Sequence, residues 1–241
     1  MASTSEKGHA KNIANQKLLI TNILGLGTRY NPSNPNIAIE VLQTIYDKAF
    51  ADQKNVNDLE APYKNAVAER ENLFKPLNRL ISKLRKVYKT TQGVSPKELE
   101  NFMTIARKIK GDRKKTIAES SNPTILENQY SVSQLSYDQR TNNLDLLIGL
   151  LENTPNYNPN EDAYKTTTLR AMHDDMLLKT EAVGATFVPF NNARNRRNNS
   201  VYFEPNNLVD TAYTAKDCIF TILDVNSTQY KTIAKIKFSR I

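Results

Sequence analysis

Apolar side chains recur every 3.5 residues along the segment Leu42–Val87, and twelve of the fourteen positions at this spacing are apolar. Such a spacing, sustained over several heptads, is typical of a helix that buries one stripe of its surface against other helices. The stripe continues past Pro62 and Pro76 without a change of phase. This continuity predicts one long helix over residues 36–90, kinked at the prolines. The alternative is a helical hairpin broken near residues 57–61, which would give a compact four-helix bundle.

Two segments of the chain are similar to each other in sequence. When residues 14–74 are aligned with residues 141–201, fourteen of 61 positions are identical, including Tyr30-Asn31-Pro32 with Tyr157-Asn158-Pro159. Unrelated segments of ordinary composition would share about four positions, so we predict a tandem duplication. The predicted organisation is an N-terminal arm (1–13), helical unit 1 (14–111), a linker with the start of the next helix (112–140), and helical unit 2 (141–241). The two helical units are called repeat 1 and repeat 2 below.

Capping residues predict where the shorter helices begin and end. Ser95 and Glu98 have the spacing of a capping box around a proline, and Gly111 fits a C-terminal stop. Asn34 and Asn158 each precede a proline and are predicted N-caps. The other helices are predicted over Lys11–Leu26, Tyr137–Glu152 and Thr228–Ile236, with an extended segment around Ile236-Lys237-Phe238.

Composition narrows the functional classes. The chain has one cysteine, Cys218, and two histidines, His9 and His173, which excludes a disulfide scaffold and a metal centre rich in these ligands. No glycine-rich phosphate loop is present. No apolar segment has the length of a membrane span, and residues 1–12 lack the apolar stretch of a secretory signal. We therefore expect a cytoplasmic protein with no cofactor and no metal, and we expect Cys218 to be a small core residue.

The net charge of +8 is concentrated in one segment. Residues 75–115 contain thirteen basic and three acidic residues, a net charge of +10, so the rest of the chain is close to −2. If the helix that ends at Gly111 packs back on the long helix, these cations form one positive surface. A positive surface suits nucleic acid or another acidic partner, although the helix dipole also favours cations near helix C-termini without any partner. The candidate surface comprises Arg79, Lys83, Lys86, Arg107, Lys108, Lys110, Arg113, Lys114 and Lys115, and Lys75, Arg85 and Lys89 widen it.

Two arginines occupy matching positions in the repeats. Arg70 and Arg197 both lie among apolar neighbours of the seam. Because an isolated buried charge is costly, each guanidinium needs a partner. The partner is either a ligand bound in both halves or, on the structural interpretation, a carboxylate or the carbonyl groups at a helix end.

Several short segments resemble an uncharacterised family of bacterial proteins with two tandem helical units. They are GHAKN (8–12), TRYNPSNPNI (28–37), APYKNAV with RE in 61–71, LFKPL (73–77), ARKIKG (106–111), SVSQLSYDQR (131–140), and NAR with RN in 192–198. The resemblance covers essentially the whole chain. It implies a free-standing bacterial module and transfers no catalytic or binding residue.

These observations predict an all-α protein made of two tandem duplicated helical units, antiparallel bundles built on long, heptad-patterned, proline-kinked helices. The first functional hypothesis is a non-enzymatic structural or protein-interaction protein, with self-association through its helix faces. The alternative is a nucleic-acid-associated basic protein that binds through residues 75–115. A third hypothesis is an enzyme or small-molecule binder with a pocket between the two helical units.

Overall fold

The computed structural model describes residues 8–111 and 135–240, and within these residues it contains eight α-helices and no β-strand. The all-α class predicted from the sequence is therefore confirmed. The helices are α1 (His9–Leu24), α2 (Ile39–Phe74), α3 (Leu77–Thr90), α4 (Pro96–Lys110), α5 (Tyr137–Glu152), α6 (Thr166–Asn198), α7 (Leu208–Ile222) and α8 (Thr228–Ala234).

Helix α2 is continuous over 36 residues and passes through Pro62. The alternative of a hairpin broken near residues 57–61 is therefore wrong. The helix ends at Phe74, and α3 begins at Leu77 immediately after Pro76. The predicted helix over 36–90 is thus two consecutive helices, separated by a turn at Lys75 and Pro76. Proline supplies no amide hydrogen to the helical ladder, and at Pro62 the helix continues despite this loss.

The apolar stripe continues from α2 into α3 across the turn at Pro76. None of its fourteen positions from Leu42 to Val87 is exposed, and the stripe is buried on both sides of the turn at Pro76. Pro76 itself keeps helical dihedral angles, and its carbonyl accepts a hydrogen bond from the amide of Leu80 at 3.0 Å. The rotation per residue at Pro76 therefore stays close to that of a helix. This explains why the apolar pattern in the sequence shows no shift of phase.

The capping predictions are confirmed at two places and wrong at a third. Ser95 and Glu98 form both hydrogen bonds of a capping box, and Gly111 closes α4 in the left-handed conformation at φ 77°. The Asn34 side chain accepts from the amide of Asn36 at 3.0 Å and so caps the short 3₁₀ turn that begins at Pro35. Asn158 begins no helix: the next 3₁₀ turn starts at Asp162, and α6 starts at Thr166.

The chain forms two compact units. The described residues up to Tyr63 and from Thr186 onward form the first, named the α1–α7 unit. Its core includes Leu19 from α1 and Ile219 from α7. The described residues between Lys64 and Ala185 form the second, named the α4–α5 unit. Its core includes Phe102 from α4 and Leu144 from α5. The limits of these units differ from those predicted for repeat 1 and repeat 2, since each unit draws on both repeats.

Candidate anion-binding groove

Helices α3 and α4 pack together through their apolar faces. On α3 the buried residues Ile81, Leu84 and Tyr88 recur at helical spacing, and on α4 Phe102 and Ile109 are fully buried. The rings of Tyr88 and Phe102 stack with their centroids 5.0 Å apart. Because these faces are occupied by packing, the basic side chains of both helices are left at the edge of the contact.

The N-terminus of α4 carries the negative charge of this helix pair. One Glu98 oxygen accepts hydrogen bonds from the Ser95 amide at 2.7 Å and from the Ser95 hydroxyl at 2.6 Å. These bonds stabilise the carboxylate and hold the pKa of Glu98 below its usual value. The opposite end of α4 is basic, with Arg107, Lys108 and Lys110 in its last turn. The separation of charge along α4 follows the helix dipole.

A groove of about 350 Å³ lies between α3 and α4. Its apolar floor is provided by Ile81, Met103 and Ala106. The remaining lining residues are Ser82, Arg85, Lys86, Lys89, Arg107 and Lys110. Five of the nine lining residues are thus cationic, and none of them is acidic or aromatic.

Three of the five groove cations lie on α3 and are not neutralised by a carboxylate of the described residues. Arg85, Lys86 and Lys89 are exposed, and within residues 8–111 and 135–240 no carboxylate forms an ion pair with any of these three. Arg107 donates a hydrogen bond from Nη2 to the Thr104 hydroxyl at 3.1 Å, a neutral partner on its own helix. Like charges brought together in this way repel one another, and an anion in the groove would relieve the repulsion.

The structure brings together only part of the predicted basic surface. Of the nine candidate residues, Lys86, Arg107 and Lys110 line the groove. Arg79 and Lys83 on α3 and Lys108 on α4 are exposed on the same helices but do not line it. Arg113, Lys114 and Lys115 lie outside the described residues. The predicted widening residues Arg85 and Lys89 belong to the groove itself, whereas Lys75 does not line it.

The repeated seam arginines are held by contacts within the protein. The guanidinium carbon of Arg70 lies 3.8 Å from the centre of the Tyr137 ring, at the start of α5. Arg197 donates to the side-chain oxygen of Asn198, with Nη2 at 2.9 Å. Burial, followed by the charge of Arg194, lowers the pKa of Arg197. The expectation of a carboxylate or a helix-end carbonyl was therefore wrong about the partner, which is a ring in one case and an amide in the other. Both guanidinium groups thus have a contact within the protein, while the buried Nε of Arg70 donates no hydrogen bond to any described residue.

The remaining sequence candidates form no second site. Cys218 is half-buried beside the core of the α1–α7 unit. His173 bonds to the adjacent Asp174 at 3.0 Å on the surface of α6. In the described part of the chain, no three histidine, cysteine or acidic residues are grouped so that they could hold a metal ion.

The predicted N-terminal arm (1–13) and a first helix starting at Lys11 left His9 outside the helices, and this was wrong. His9 begins α1, and its Nε2 lies 2.9 Å from the side-chain oxygen of Asn198. The partner is 189 residues away along the chain. No local sequence pattern could have indicated this contact.

Comparison with protein-family models, with curated proteins and with solved structures gave no match. None of the helices in the described ranges combines the length and the apolar character that crossing a bilayer requires.

Proposed function

We propose that this protein is a non-enzymatic binding protein and that the backbone of a nucleic acid binds in the groove between α3 and α4. The observation that supports this function is the groove itself, where five cationic side chains converge over an apolar floor without an acidic residue among the lining. Phosphate groups along a nucleic acid present regularly spaced negative charge, and lysine and arginine that neutralise it release counterions.

The chemistry of the lining also indicates the mode of binding. The groove has no aromatic side chain on which a base could stack, and stacking is the main contact that proteins use for single-stranded bases. Binding through lysine and arginine alone positions the backbone without reading its sequence. We therefore expect affinity for nucleic acid with little dependence on base sequence.

A fluorescence anisotropy titration with a labelled 20-base-pair DNA duplex tests this function. With five or fewer phosphate contacts, the logarithm of the binding constant should fall against the logarithm of salt concentration with a slope no steeper than about −4.5. The groove variant combines Arg85→Gln, Lys86→Gln and Lys89→Gln, three exposed positions on α3. Removing three of five contacts should reduce the slope to about −2.

A matched control distinguishes the loss of the groove cations from a loss of net charge elsewhere on the same helices. The control variant combines Arg79→Gln, Lys83→Gln and Lys108→Gln, which removes the same charge from exposed positions on the same two helices. It should keep a slope close to that of the parent protein. Equal losses in the two variants, or no binding by the parent at 50 mM salt, would refute the assignment. Equal competition by polyglutamate would indicate an acidic protein as the partner instead.

A protein partner is the second candidate function, and exposed apolar side chains on α6 favour it. Leu177 and Leu178 are 52% and 59% exposed, and unpaired apolar surface of this kind supports association between proteins. Light scattering of the parent sample over a range of concentrations reports self-association in the absence of nucleic acid. A nucleic-acid partner favours the cytoplasm as the site of action, and we propose that location.

A further inference from the structure

Each compact unit is assembled from complementary parts of the two repeats. In the α1–α7 unit, α1 and the first part of α2 come from repeat 1, whereas α7 and α8 come from repeat 2. In the α4–α5 unit, α3 and α4 come from repeat 1, whereas α5 comes from repeat 2. In both cases the first helix of one repeat shares a core with the later helices of the other repeat.

The first helices of the two repeats bury equivalent positions. Helices α1 and α5 correspond residue by residue at a spacing of 128, one more than the best sequence match. At this spacing Leu18 and Leu146, which are 47% and 50% exposed, also coincide. The buried pairs are Ile13 with Thr141, Asn15 with Asn143, Gln16 with Leu144, Leu19 with Leu147, Ile20 with Ile148, and Ile23 with Leu151.

The later helices repeat the same agreement. Helices α3 and α7 begin at Leu77 and Leu208, a spacing of 131. Every residue buried on α3 has a buried counterpart on α7 at this spacing. The pairs are Leu77 with Leu208, Ile81 with Ala212, Leu84 with Ala215, and Tyr88 with Ile219. Equivalent helices therefore use equivalent faces to build the two cores.

The turn before each long helix is also repeated in atomic detail. The Tyr30 hydroxyl donates to the carbonyl of Ile37 at 2.7 Å, and the Tyr157 hydroxyl donates to the carbonyl of Tyr164 at 2.8 Å. Donor and acceptor are both displaced by 127 residues. A shared hydrogen bond between a side chain and a particular carbonyl is more specific than a shared pattern of apolar residues.

A contact between equivalent residues adds an independent observation. Tyr63 follows Pro62 in α2, and Phe190 follows Pro189 in α6, so the two rings occupy the same position in their repeats. Their centroids are 5.3 Å apart, and the rings are stacked at 17°. A residue meets its own equivalent in this way at the two-fold axis of a symmetric dimer.

We propose that each repeat is an association module whose partner is a second copy of the same module. The chain then carries the two protomers of an intertwined dimer, joined through the segment 112–140. A single repeat leaves part of each core uncovered, since α5 packs on α4 and α7 packs on α1 from the other repeat. The same surfaces allow exchange between two chains, which is the route by which domain swapping produces dimers.

Cleavage between the repeats in the full chain tests this proposal. A protease recognition site is inserted between Ser121 and Asn122, the purified protein is cut, and the fragments are followed by size-exclusion chromatography, mass measurement and circular dichroism. The fragments should co-elute as a one-to-one complex with unchanged helix content. After separation in denaturant, native helix content should return only when the fragments are mixed or when one fragment pairs with itself. Fragments that refold separately as helical monomers, or that fail to reassemble on mixing, would overturn the proposal.

Hydrogen exchange on the uncut chain gives a second test that does not depend on fragments. Phe102→Ala removes a fully buried ring from α4. Amide exchange in α5, from the other repeat, should become about tenfold faster or more, while exchange in α1 of the same repeat stays near the parent rate. Leu19→Ala in α1 is the matched control and should accelerate exchange in α7 while sparing α4. Acceleration that follows the repeats rather than the compact units would contradict the intertwined arrangement.

Discussion

Asn12 joins α1 to the segment after α8, and its replacement by alanine should destabilise the α1–α7 unit. The side chain is 1% exposed. Its Nδ2 donates to the Ser239 carbonyl at 2.8 Å and to the Tyr202 hydroxyl at 3.2 Å, and its Oδ1 accepts from the Ser239 amide at 3.0 Å. Asn12→Ala removes all three bonds at once.

The cost follows from the groups that lose their partners. Each hydrogen bond contributes about 1 kcal/mol net, and a buried polar group left without a partner costs about 1–3 kcal/mol. Ser239 is half-buried, so water can replace part of what its amide and carbonyl lose. We expect a loss of about 2–4 kcal/mol from the free energy of unfolding, a large share of the usual total of about 5–15 kcal/mol.

Urea denaturation measures the loss, and hydrogen exchange locates it. The midpoint of unfolding should fall in Asn12→Ala, and the amides from Ile236 to Arg240 should exchange faster than in the parent. Asn22→Ala is the matched control, since Asn22 is on the same helix and bonds only to the carbonyl of Leu18 four residues earlier. That control should stay within about 0.5 kcal/mol of the parent. If Asn12→Ala is equally mild and leaves exchange near Ser239 unchanged, the three bonds do not stabilise the unit.

Two further predictions concern pH. Burial, followed by the charge of Arg197, lowers the pKa of the His9 imidazole from its usual 6.5. As pH falls, the unfolded chain is therefore protonated at His9 before the folded chain, and stability should fall below about pH 6.5. His9→Gln should reduce the difference between the urea midpoints at pH 7 and pH 5. Burial raises the pKa of Tyr157 to about 12, so the unfolded chain loses this proton first and stability should fall as pH rises from about 10 towards 12. Tyr157→Phe should remove the part of this alkaline loss of stability that comes from Tyr157. At pH 7 it should lower the free energy of unfolding by about 1 kcal/mol, because the hydrogen bond to the Tyr164 carbonyl is lost.

Local sequence signals predicted local structure well. Helix α5 has the predicted limits, Tyr137–Glu152, and Ser95 and Glu98 form the predicted capping box. These features depend on residues within one or two turns, so a single segment of sequence contains what determines them. The end of α2 at Phe74 was missed because the apolar stripe keeps its phase across Pro76.

The partners of each helix could not be predicted in the same way. A stripe of buried positions shows that a helix face is covered, but it does not show which helix covers it. The sequence match between the repeats favoured helices that pack within one repeat. The cores instead join α1 with α7 and α4 with α5, and the division between the two compact units falls within the sequences of α2 and α6. The groove was predictable only as a cluster of charge, since its limits depend on how α4 packs against α3.

The exposed cations that α3 contributes to the groove have no exposed basic counterparts on α7. At the spacing of 131 that aligns their buried residues, Lys86 and Lys89 of the groove correspond to Asp217 and Phe220. The counterpart of Arg85 is Lys216, which is 8% exposed and donates to the Ile236 carbonyl at 2.5 Å instead of facing solvent. Arg85, Lys86 and Lys89 are themselves exposed on α3, so their replacement leaves the buried face of that helix unchanged. The groove variant should therefore unfold at a urea concentration close to that of the parent, so that any loss of nucleic-acid binding reports on the groove alone.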